Sequence, residues 1–258
     1  MILYQIDAFT DKVFSGNPAG VIILDNWPDD KLMQSIGAEN NLPETAFIVP
    51  EGNDYRIRWF TPAAEVDLCG HATLASAYVM FNELAYPENT IRFQSKSGLL
   101  TVTKDESWLT LDFPADVIQP INITADIQKC SSANILEAYE GRSDYMFVLA
   151  DQKAVKESHF DLTAISALGN RGVIVTAEGD DVDFVSRFFA PAVGINEDPV
   201  TGSAHTTLTP YWSNRLSKKN LTAKQISPRG GDLKCELNAD RVLISGQAVM
   251  YMRGEIKI

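Results

Sequence analysis

The chain has 258 residues, 45% of them hydrophobic, and a formal net charge of −12. That length suits one large domain or two small ones, and the apolar content is ordinary for a globular protein. The acidic balance, with no run of Lys or Arg, argues against a nucleic-acid partner. No apolar stretch is long enough to span a membrane, residues 1–7 lack a signal-peptide pattern, and the three cysteines form no even disulfide set. We therefore expect a cytoplasmic protein without a membrane partner.

In the first half, apolar alternation predicts seven strands, at residues 2–9, 19–24, 46–49, 55–60, 90–94, 99–103 and 109–113. A helix is predicted to open at residues 28–30 and to close near residue 40. A second helix is predicted over 71–81, where no charged side chain occurs and every face is apolar. A helix of that kind is buried, and a segment this short cannot cross a bilayer.

In the second half, residues 125–139 are predicted to be helical, 145–150 a strand, 162–168 a short helix and 173–177 a strand. Residues 114–120 indicate a crossing between halves. The closing residues 247–258 alternate in hydrophobicity and could add a strand to either half.

An internal repeat divides the chain. Two short motifs recur in the same order between similar flanking strands. FTPA (60–63) is matched by FAPA (189–192), and GHA (70–72) is matched by GSA (202–204). A repeat of this length predicts two similar domains, residues 1–114 and 115–258. Each would be an α+β domain of several strands around one central helix. Without a long linker, we expect the halves to pack closely with a cleft between them.

The two predicted helix starts are candidate anion sites. The first amide groups of a buried helix lack partners within the helix, and these groups attract a carboxylate. The starts at Gly70 and Gly202 would therefore suit a small carboxylate ligand. The alternative is that each glycine only ends a loop and each helix is capped locally.

Three side chains are candidates for acid–base chemistry. Glu44 lies in an otherwise uncharged run before an apolar strand, where a poorly hydrated carboxyl suits proton transfer. His71 at the helix start is a candidate proton shuttle, and Asp198 a second acid/base group or a hydrogen-bonding partner for substrate. The alternatives are an exposed loop acid for Glu44, a packed histidine for His71 and a backbone cap for Asp198.

Other chemistry has weaker support. Cys69 could act as a thiol nucleophile, but a small buried cysteine is the better interpretation. Cys69, His71 and His205 have none of the usual zinc spacings, and His205 and His159 receive no role. No phosphate loop or dinucleotide fingerprint occurs, so we expect no metal and no cofactor.

The sequence resembles the PhzF family, the phenazine-biosynthesis isomerases related in fold to diaminopimelate epimerase. The matching words cover essentially the whole chain and are DAFT (7–10), GNPA (16–19), NLPETAF (41–47), DLCGHAT (67–73), EDPVTGSAH (197–205) and PRGG (228–231). The resemblance implies two barrel-like, mostly antiparallel domains, each around a central helix, with the active site between them. It also implies cofactor-independent isomerisation by proton transfer next to a carboxylate.

By the same resemblance, Glu44 is the catalytic acid/base and His71 and Asp198 line the site. The substrate-binding positions are Gly70, Ala72, Thr201, Gly202 and Ser203. The related epimerases use one cysteine from each domain, but here the repeat places Cys69 opposite Thr201, whose hydroxyl is too weak an acid to replace a thiol.

The leading hypothesis is therefore an isomerase that moves a proton on a small carboxylate metabolite, with a homodimer as one possible assembly. Two alternatives stay open: a non-catalytic metabolite-binding protein that keeps the cleft, and a Cys69-dependent racemase or hydrolase.

Overall fold

The computed structural model describes all 258 residues and divides them into two compact units. Unit 1 comprises residues 1–113 and 244–258, and unit 2 comprises residues 114–243. The sequence predicted a boundary after residue 114 and left the closing residues 247–258 open to either half; in the structure these residues lie in unit 1. No helix in the structure combines the length and apolar content needed to cross a bilayer.

Unit 1 is built mainly from strands, with two helices inserted between them. Its elements in chain order are β1 (Ile2–Ala8), β2 (Asn17–Ile23), α1 (Asp30–Asn40), β3 (Glu44–Glu51), β4 (Asp54–Phe60), β5 (Glu65–Val66), α2 (Gly70–Asn82), β6 (Thr90–Ser95), β7 (Gly98–Asp105) and β8 (Trp108–Pro114). β1 pairs antiparallel with β2, β2 pairs parallel with β3, and β3 and β4 form an antiparallel hairpin. β4 then pairs parallel with β6, and β6 forms a hairpin with β7.

The helix α2 is the centre of unit 1. Ten of its thirteen residues are buried, and it packs against β1, β2, β3 and β7. The prediction of a helix buried on every side is confirmed. Because strands surround α2, its start is held rigidly beside the first residues of β2 and β3.

Unit 2 repeats this order after one additional strand and helix at its start, and it has two helices where unit 1 has α1. Its elements are β9 (Gln119–Ile121), α3 (Ala125–Lys129), β10 (Glu137–Glu140), β11 (Asp144–Val148), α4 (Gln152–Glu157), α5 (Leu162–Ala167), β12 (Gly172–Glu178), β13 (Phe184–Ala190), a 3-10 turn (Pro191–Val193), β14 (Ile195–Asp198), α6 (Gly202–Leu216), β15 (Asn220–Gln225), β16 (Gly231–Asn238) and β17 (Arg241–Gly246), whose last residues pass into unit 1.

The strand pairings of unit 2 follow those of unit 1. β11 pairs parallel with β12, β12 and β13 form a hairpin, β13 pairs parallel with β15, and β15 forms a hairpin with β16. The helix α6 packs against β15 and β16 and takes the place of α2. The predicted α+β class, with two similar mostly antiparallel halves around central helices, is confirmed.

The predicted helix over 125–139 is wrong beyond Lys129. The side chain of Gln128 donates to the carbonyl of Ala133 at 2.9 Å and accepts from the amide of Ile135 at 3.1 Å, which replaces the next helical turn. The chain then extends, and Ala138 pairs with Phe147 of β11. α4 was not predicted from the sequence.

The last strand, β18 (Ala248–Glu255), belongs to unit 1. It pairs antiparallel with β1 over the whole length of that strand, from Ile2 opposite Glu255 to Ala8 opposite Ala248. Its pairing satisfies the backbone groups on the side of β1 that faces away from β2. This pairing is the physical reason why the closing strand, which the sequence left open to either half, lies in unit 1.

Candidate active site

The start of α2 has no side-chain cap. Cys69 occupies the N-cap position in an extended conformation, and its side chain makes no capping hydrogen bond. The first intrahelical bond runs from the amide of Thr73 to the carbonyl of Cys69, at 3.2 Å. The amides of Gly70 and Ala72 at this start therefore keep the partial positive charge of a helix N-terminus.

A carboxyl and an imidazole meet beside this start. Glu44 is the first residue of β3, and its Oε2 lies 3.1 Å from Nε2 of His71. Their side chains are only 12% and 7% exposed. The two atoms are at ion-pair distance, yet neither has a partner along a normal hydrogen-bond direction. A buried acid–base pair with unsatisfied atoms is a chemically reactive arrangement, because a substrate group can complete it.

Two further side chains orient the imidazole of His71. Asn17 Nδ2 lies 3.3 Å from Nδ1, and Cys69 Sγ lies 3.5 Å from the same atom. The position of Asn17 depends on Gly16, whose φ of +66° is unfavourable for other residues and whose added Cβ would lie 2.2 Å from the carbonyl oxygen of Ala8. The turn before β2 is thereby fixed against α2.

The electrostatics of this cluster favour a protonated His71 and a neutral thiol. Burial alone would lower the pKa of His71, but the neighbouring carboxylate of Glu44 raises it, and the net result is a pKa well above the ordinary value. Burial, followed by the charge of Glu44, raises the pKa of Cys69 to about 11. A thiol with that pKa stays protonated near neutral pH and is a poor nucleophile.

In unit 2, the corresponding helix start lies in a dense hydrogen-bond network. Thr201 is the N-cap of α6, and its hydroxyl donates to Oδ2 of Asp198 at 2.5 Å. Gln225, from β15, accepts from the amide of Thr201 at 2.8 Å and donates to the carbonyl of Asp198 at 2.7 Å. The end of β14, which carries Asp198, is therefore fixed in place by the buried side-chain amide of Gln225.

A second group of side chains surrounds Ser203 in the first turn of α6. The guanidinium of Arg171 donates through Nη2 to Oγ of Ser203 at 3.1 Å and forms a two-point ion pair with Asp144. It also lies over the ring of Phe188, with Cζ 5.3 Å from the centroid. Arg171 is thus held rigidly at the helix start.

His205 serves the helix itself. It is fully buried, and Nδ1 lies 2.8 Å from the carbonyl of Thr201, to which it donates. Burial lowers its pKa to about 4, so the ring is neutral at neutral pH. His205 thus has a structural contact, although the sequence indicated no role for it.

The structure therefore gathers the predicted residues into two sets. Glu44 and His71 lie together at the start of α2 with Gly70 and Ala72, and Asp198, Thr201, Gly202 and Ser203 lie together at the start of α6. The expectation that both helix starts serve one cleft stays a prediction.

Sequence reasoning missed three functional-site neighbours. Asn17 was present in the word GNPA (16–19), which was the only signal for it. Gln225 is the last residue of β15 and Arg171 lies just before β12, and neither had a local signal.

Glu44, Cys69 and His71 also form a set of metal-ligand types. Their donor atoms all lie within 4.8 Å of one another. This set differs from the one considered from the sequence, because Glu44 takes the place of His205.

Comparison with known proteins gives consistent matches over the full length. Residues 6–254 match the sequence profile of a family described as phenazine biosynthesis-like protein. A Pseudomonas aeruginosa protein named as an uncharacterized isomerase is 48% identical over 255 residues, which cover 99% of this chain and 98% of that protein.

Solved structures agree with this match. A crystal structure of a PhzF-family phenazine biosynthesis protein from Enterococcus faecalis has a TM-score of 0.98 and 50% identity, covering 100% of this chain and 99% of that one. A predicted epimerase from Pseudomonas aeruginosa, at 19% identity, has a TM-score of 0.77 over 99% of this chain and 98% of that one, which shows a shared fold.

Proposed function

Because the chain belongs to the phenazine biosynthesis-like family, we propose that it is an isomerase that moves a proton on a small carboxylate-containing metabolite, with Glu44 as the general acid and base. The observation that carries this proposal is the buried contact of 3.1 Å between Glu44 Oε2 and His71 Nε2. The pair stands beside an uncapped helix start, where a negatively charged substrate group is favoured.

In the proposed reaction, the carboxylate of Glu44 removes a proton from a carbon near the substrate carboxylate. The C–H electron pair moves into the adjacent unsaturated system, and Glu44 returns the proton at a second carbon. The amides of Gly70 and Ala72 stabilise the negative charge that develops, and protonated His71 orients Glu44. A carboxyl and an imidazole suffice for these proton transfers, so we expect no cofactor to be needed.

For unit 2, we propose that Asp198 acts as a second acid/base or hydrogen-bonding group. The short hydrogen bond from Thr201 and the Gln225 anchor support this, because both restrict Asp198 to one position. Thr201, Gly202 and Ser203 are the proposed binding residues of that helix start.

A Cys69-dependent racemase or hydrolase is less well supported. The pKa of Cys69, raised to about 11, disfavours the thiolate. The non-catalytic binding protein remains as an outcome of the test below.

The test is incubation with a panel of small carboxylic acids in D₂O, followed by mass spectrometry of the recovered compounds. Wild-type protein should introduce deuterium at an exchangeable carbon, and Glu44→Gln should lose about 10²- to 10⁴-fold of this exchange while folding normally. Glu51→Gln is the matched control, because Glu51 is an exposed residue at the other end of β3. Equal exchange by Glu44→Gln would contradict the mechanism, and binding without exchange would favour the binding protein.

A further inference from the structure

Arg171, the residue before β12, holds two partners at once. Its Nε donates to Oδ1 of Asp144 at 2.9 Å, and its Nη2 donates both to Oδ2 of Asp144 and to Oγ of Ser203, the latter at 3.1 Å. A guanidinium carries five N–H donors in one rigid plane, so a single group can hold both partners at fixed angles. The side chain of Ser203 is therefore placed by Arg171 as well as by its own helix.

The position of Arg171 is set by groups other than Ser203. Its partner Asp144 is buried. Its guanidinium also lies over the ring of Phe188, with Cζ 5.3 Å from the centroid. That ring can lie against Gly172 because a glycine has no side chain, since an added Cβ would lie 2.7 Å from Cζ of Phe188. Ser203 thus contacts a cation that its other neighbours already fix in place.

The contact leaves the hydroxyl of Ser203 with a proton to donate. Within the chain, its only hydrogen bond is the one that it accepts from Arg171. A hydroxyl has one donor and two acceptor sites, and an oxygen that accepts from a cation does not point its proton at that cation. The proton is therefore turned away from the guanidinium, and the charge-assisted bond polarises the hydroxyl into a stronger donor.

We propose that Arg171 is a positioning residue, which acts through Ser203 by keeping its hydroxyl aimed as a donor to an oxygen of the bound substrate. This inference rests on the proposed function, in which Ser203 is a binding residue. The substrate group that it selects at the start of α6 is an acceptor, a carboxylate or carbonyl oxygen. An ammonium group has no acceptor site and would also be repelled by the guanidinium.

The charges around Arg171 determine which variant isolates this role. Asp144, Asp116 and Asp198 all interact with its charge. Removal of Arg171 alone would leave the buried carboxylate of Asp144 unpaired, which would destabilise unit 2 and repel a carboxylate ligand. Asp144→Asn combined with Arg171→Met removes both charges, so the net charge is unchanged and the hydrogen bond to Ser203 is lost.

A matched control pair lies at the other end of the same helix. Arg215 is in the last turn of α6, where Nη1 lies 2.7 Å from Oε1 of Glu137 and Cζ lies 5.7 Å from the ring centroid of Tyr211. It is therefore also an arginine that pairs with a carboxylate and lies over an aromatic ring. Because Arg215 is about 18 Å along the helix from Ser203, Glu137→Gln combined with Arg215→Met should leave the exchange unchanged.

The test is deuterium exchange of the carboxylic acid that the wild-type protein exchanges fastest, measured over a range of acid concentrations. Asp144→Asn/Arg171→Met should raise KM about 10- to 100-fold, the range typical of one hydrogen bond to a charged group, with kcat nearly unchanged. Ser203→Ala should raise KM by a similar factor, and the two changes combined should add little to Ser203→Ala alone. Additive losses would show that Arg171 does not act through Ser203 and would overturn the proposal.

Ligand binding separates this result from the proposed function. Thermal unfolding is followed with acetate, malonate and succinate as probes, since a ligand of the folded protein raises the melting temperature. Stabilisation without exchange, lost in Asp144→Asn/Arg171→Met, keeps the inference and removes the isomerase. Exchange with an unchanged KM in that variant removes only the inference, and a wild-type protein that neither exchanges deuterium nor is stabilised overturns both.

If Asp144→Asn/Arg171→Met does not fold, Arg171→Lys provides the comparison. Lysine keeps the positive charge beside Asp144, but its single ammonium lacks the planar fork that reaches both partners. Arg171→Lys should therefore raise KM in the same way, and a wild-type KM in this variant would overturn the proposal.

Discussion

The starts of α2 and α6 occupy equivalent places in two copies of one architecture, yet their polar groups are arranged in opposite ways. In unit 1, Glu44 and His71 face each other with unsatisfied atoms. In unit 2, the side-chain amide of Gln225 and the hydroxyl of Thr201 form hydrogen bonds around Asp198, the last residue of β14. Neither helix has a side-chain cap, so the difference between the two starts lies in whether the neighbouring acid is hydrogen-bonded, as Asp198 is, or is not, as in the case of Glu44.

The parallel strand pairs show where the difference originates. Glu44 lies opposite Ala19 in the first pair, and Gly172 lies opposite Asp144 in the second. Where unit 1 places an acid beside its central helix, unit 2 has a glycine preceded by Arg171. The two halves therefore share one pattern of strand pairing, but their helix starts differ in chemistry. Unit 1 has an acid, Glu44, beside its central helix, and unit 2 has a base, Arg171.

The largest expected effect tests whether the unit 2 network is structural. Gln225→Leu would leave the amide of Thr201 and the carbonyl of Asp198 without their partners in a buried place. Each such group costs about 1 to 3 kcal/mol, so the free energy of unfolding should fall by about 2 to 6 kcal/mol in urea denaturation. Gln119→Leu, at an exposed position of β9, should change it by less than about 0.5 kcal/mol. If both variants lost a similarly small part of the free energy of unfolding, the hydrogen bonds of Gln225 would not stabilise unit 2, and the contrast between the two helix starts would fail.

The next effect is the opposite pH dependence of the two buried histidines. The pKa of His205 is lowered to about 4 by burial, so the unfolded chain takes up the proton first as the pH falls. Stability should therefore decrease between about pH 6.5 and pH 4, by about 3 kcal/mol, and His205→Asn should lack this slope.

His71 should behave in the reverse way. Its folded pKa is raised above the ordinary value, so its contribution is fully present below about pH 6.5 and is lost as the pH rises through the folded pKa. The difference in unfolding free energy between wild type and His71→Asn should shrink as the pH rises. Urea denaturation across this range measures both histidines, and slopes of equal sign would contradict the assignment.

The smallest effect compares the repeat-equivalent residues Thr201 and Cys69. Thr201→Val removes a hydroxyl bond to a carboxylate and should lower the free energy of unfolding by about 1.5 to 3 kcal/mol. Cys69→Ala removes only a weak sulfur contact and should cost about 1 kcal/mol, with deuterium exchange nearly unchanged. Loss of exchange in Cys69→Ala would instead support a thiol mechanism.

Much of this architecture was predictable from the sequence, because the signals are local. The uncharged run after His71 has no interpretation in a globular protein except a buried helix, and the FTPA and FAPA words reveal the repeat. The helix predicted over 125–139 failed because the Gln128 side chain forms the bonds that a next turn would have made. A local sequence pattern does not indicate that a side chain will take over the backbone hydrogen bonds of a helical turn.

The site was predictable only in part, for a similar reason. Glu44 and His71 were identified from their own surroundings, an acid in an uncharged run and a histidine at a helix start. Gln225 and Arg171 function through partners that are 24 and 32 residues away in sequence. Their importance depends on which strands pair, and no short word in the sequence encodes that.

The pairing of β18 with β1 has a consequence for how the chain folds during synthesis. Domains usually form in the order in which they leave the ribosome. Here unit 2 is continuous in sequence, whereas unit 1 receives its closing strand only after residue 248 has been translated. One edge of β1 therefore stays unpaired while the second half of the chain is synthesised. Unit 1 is begun first and is completed last.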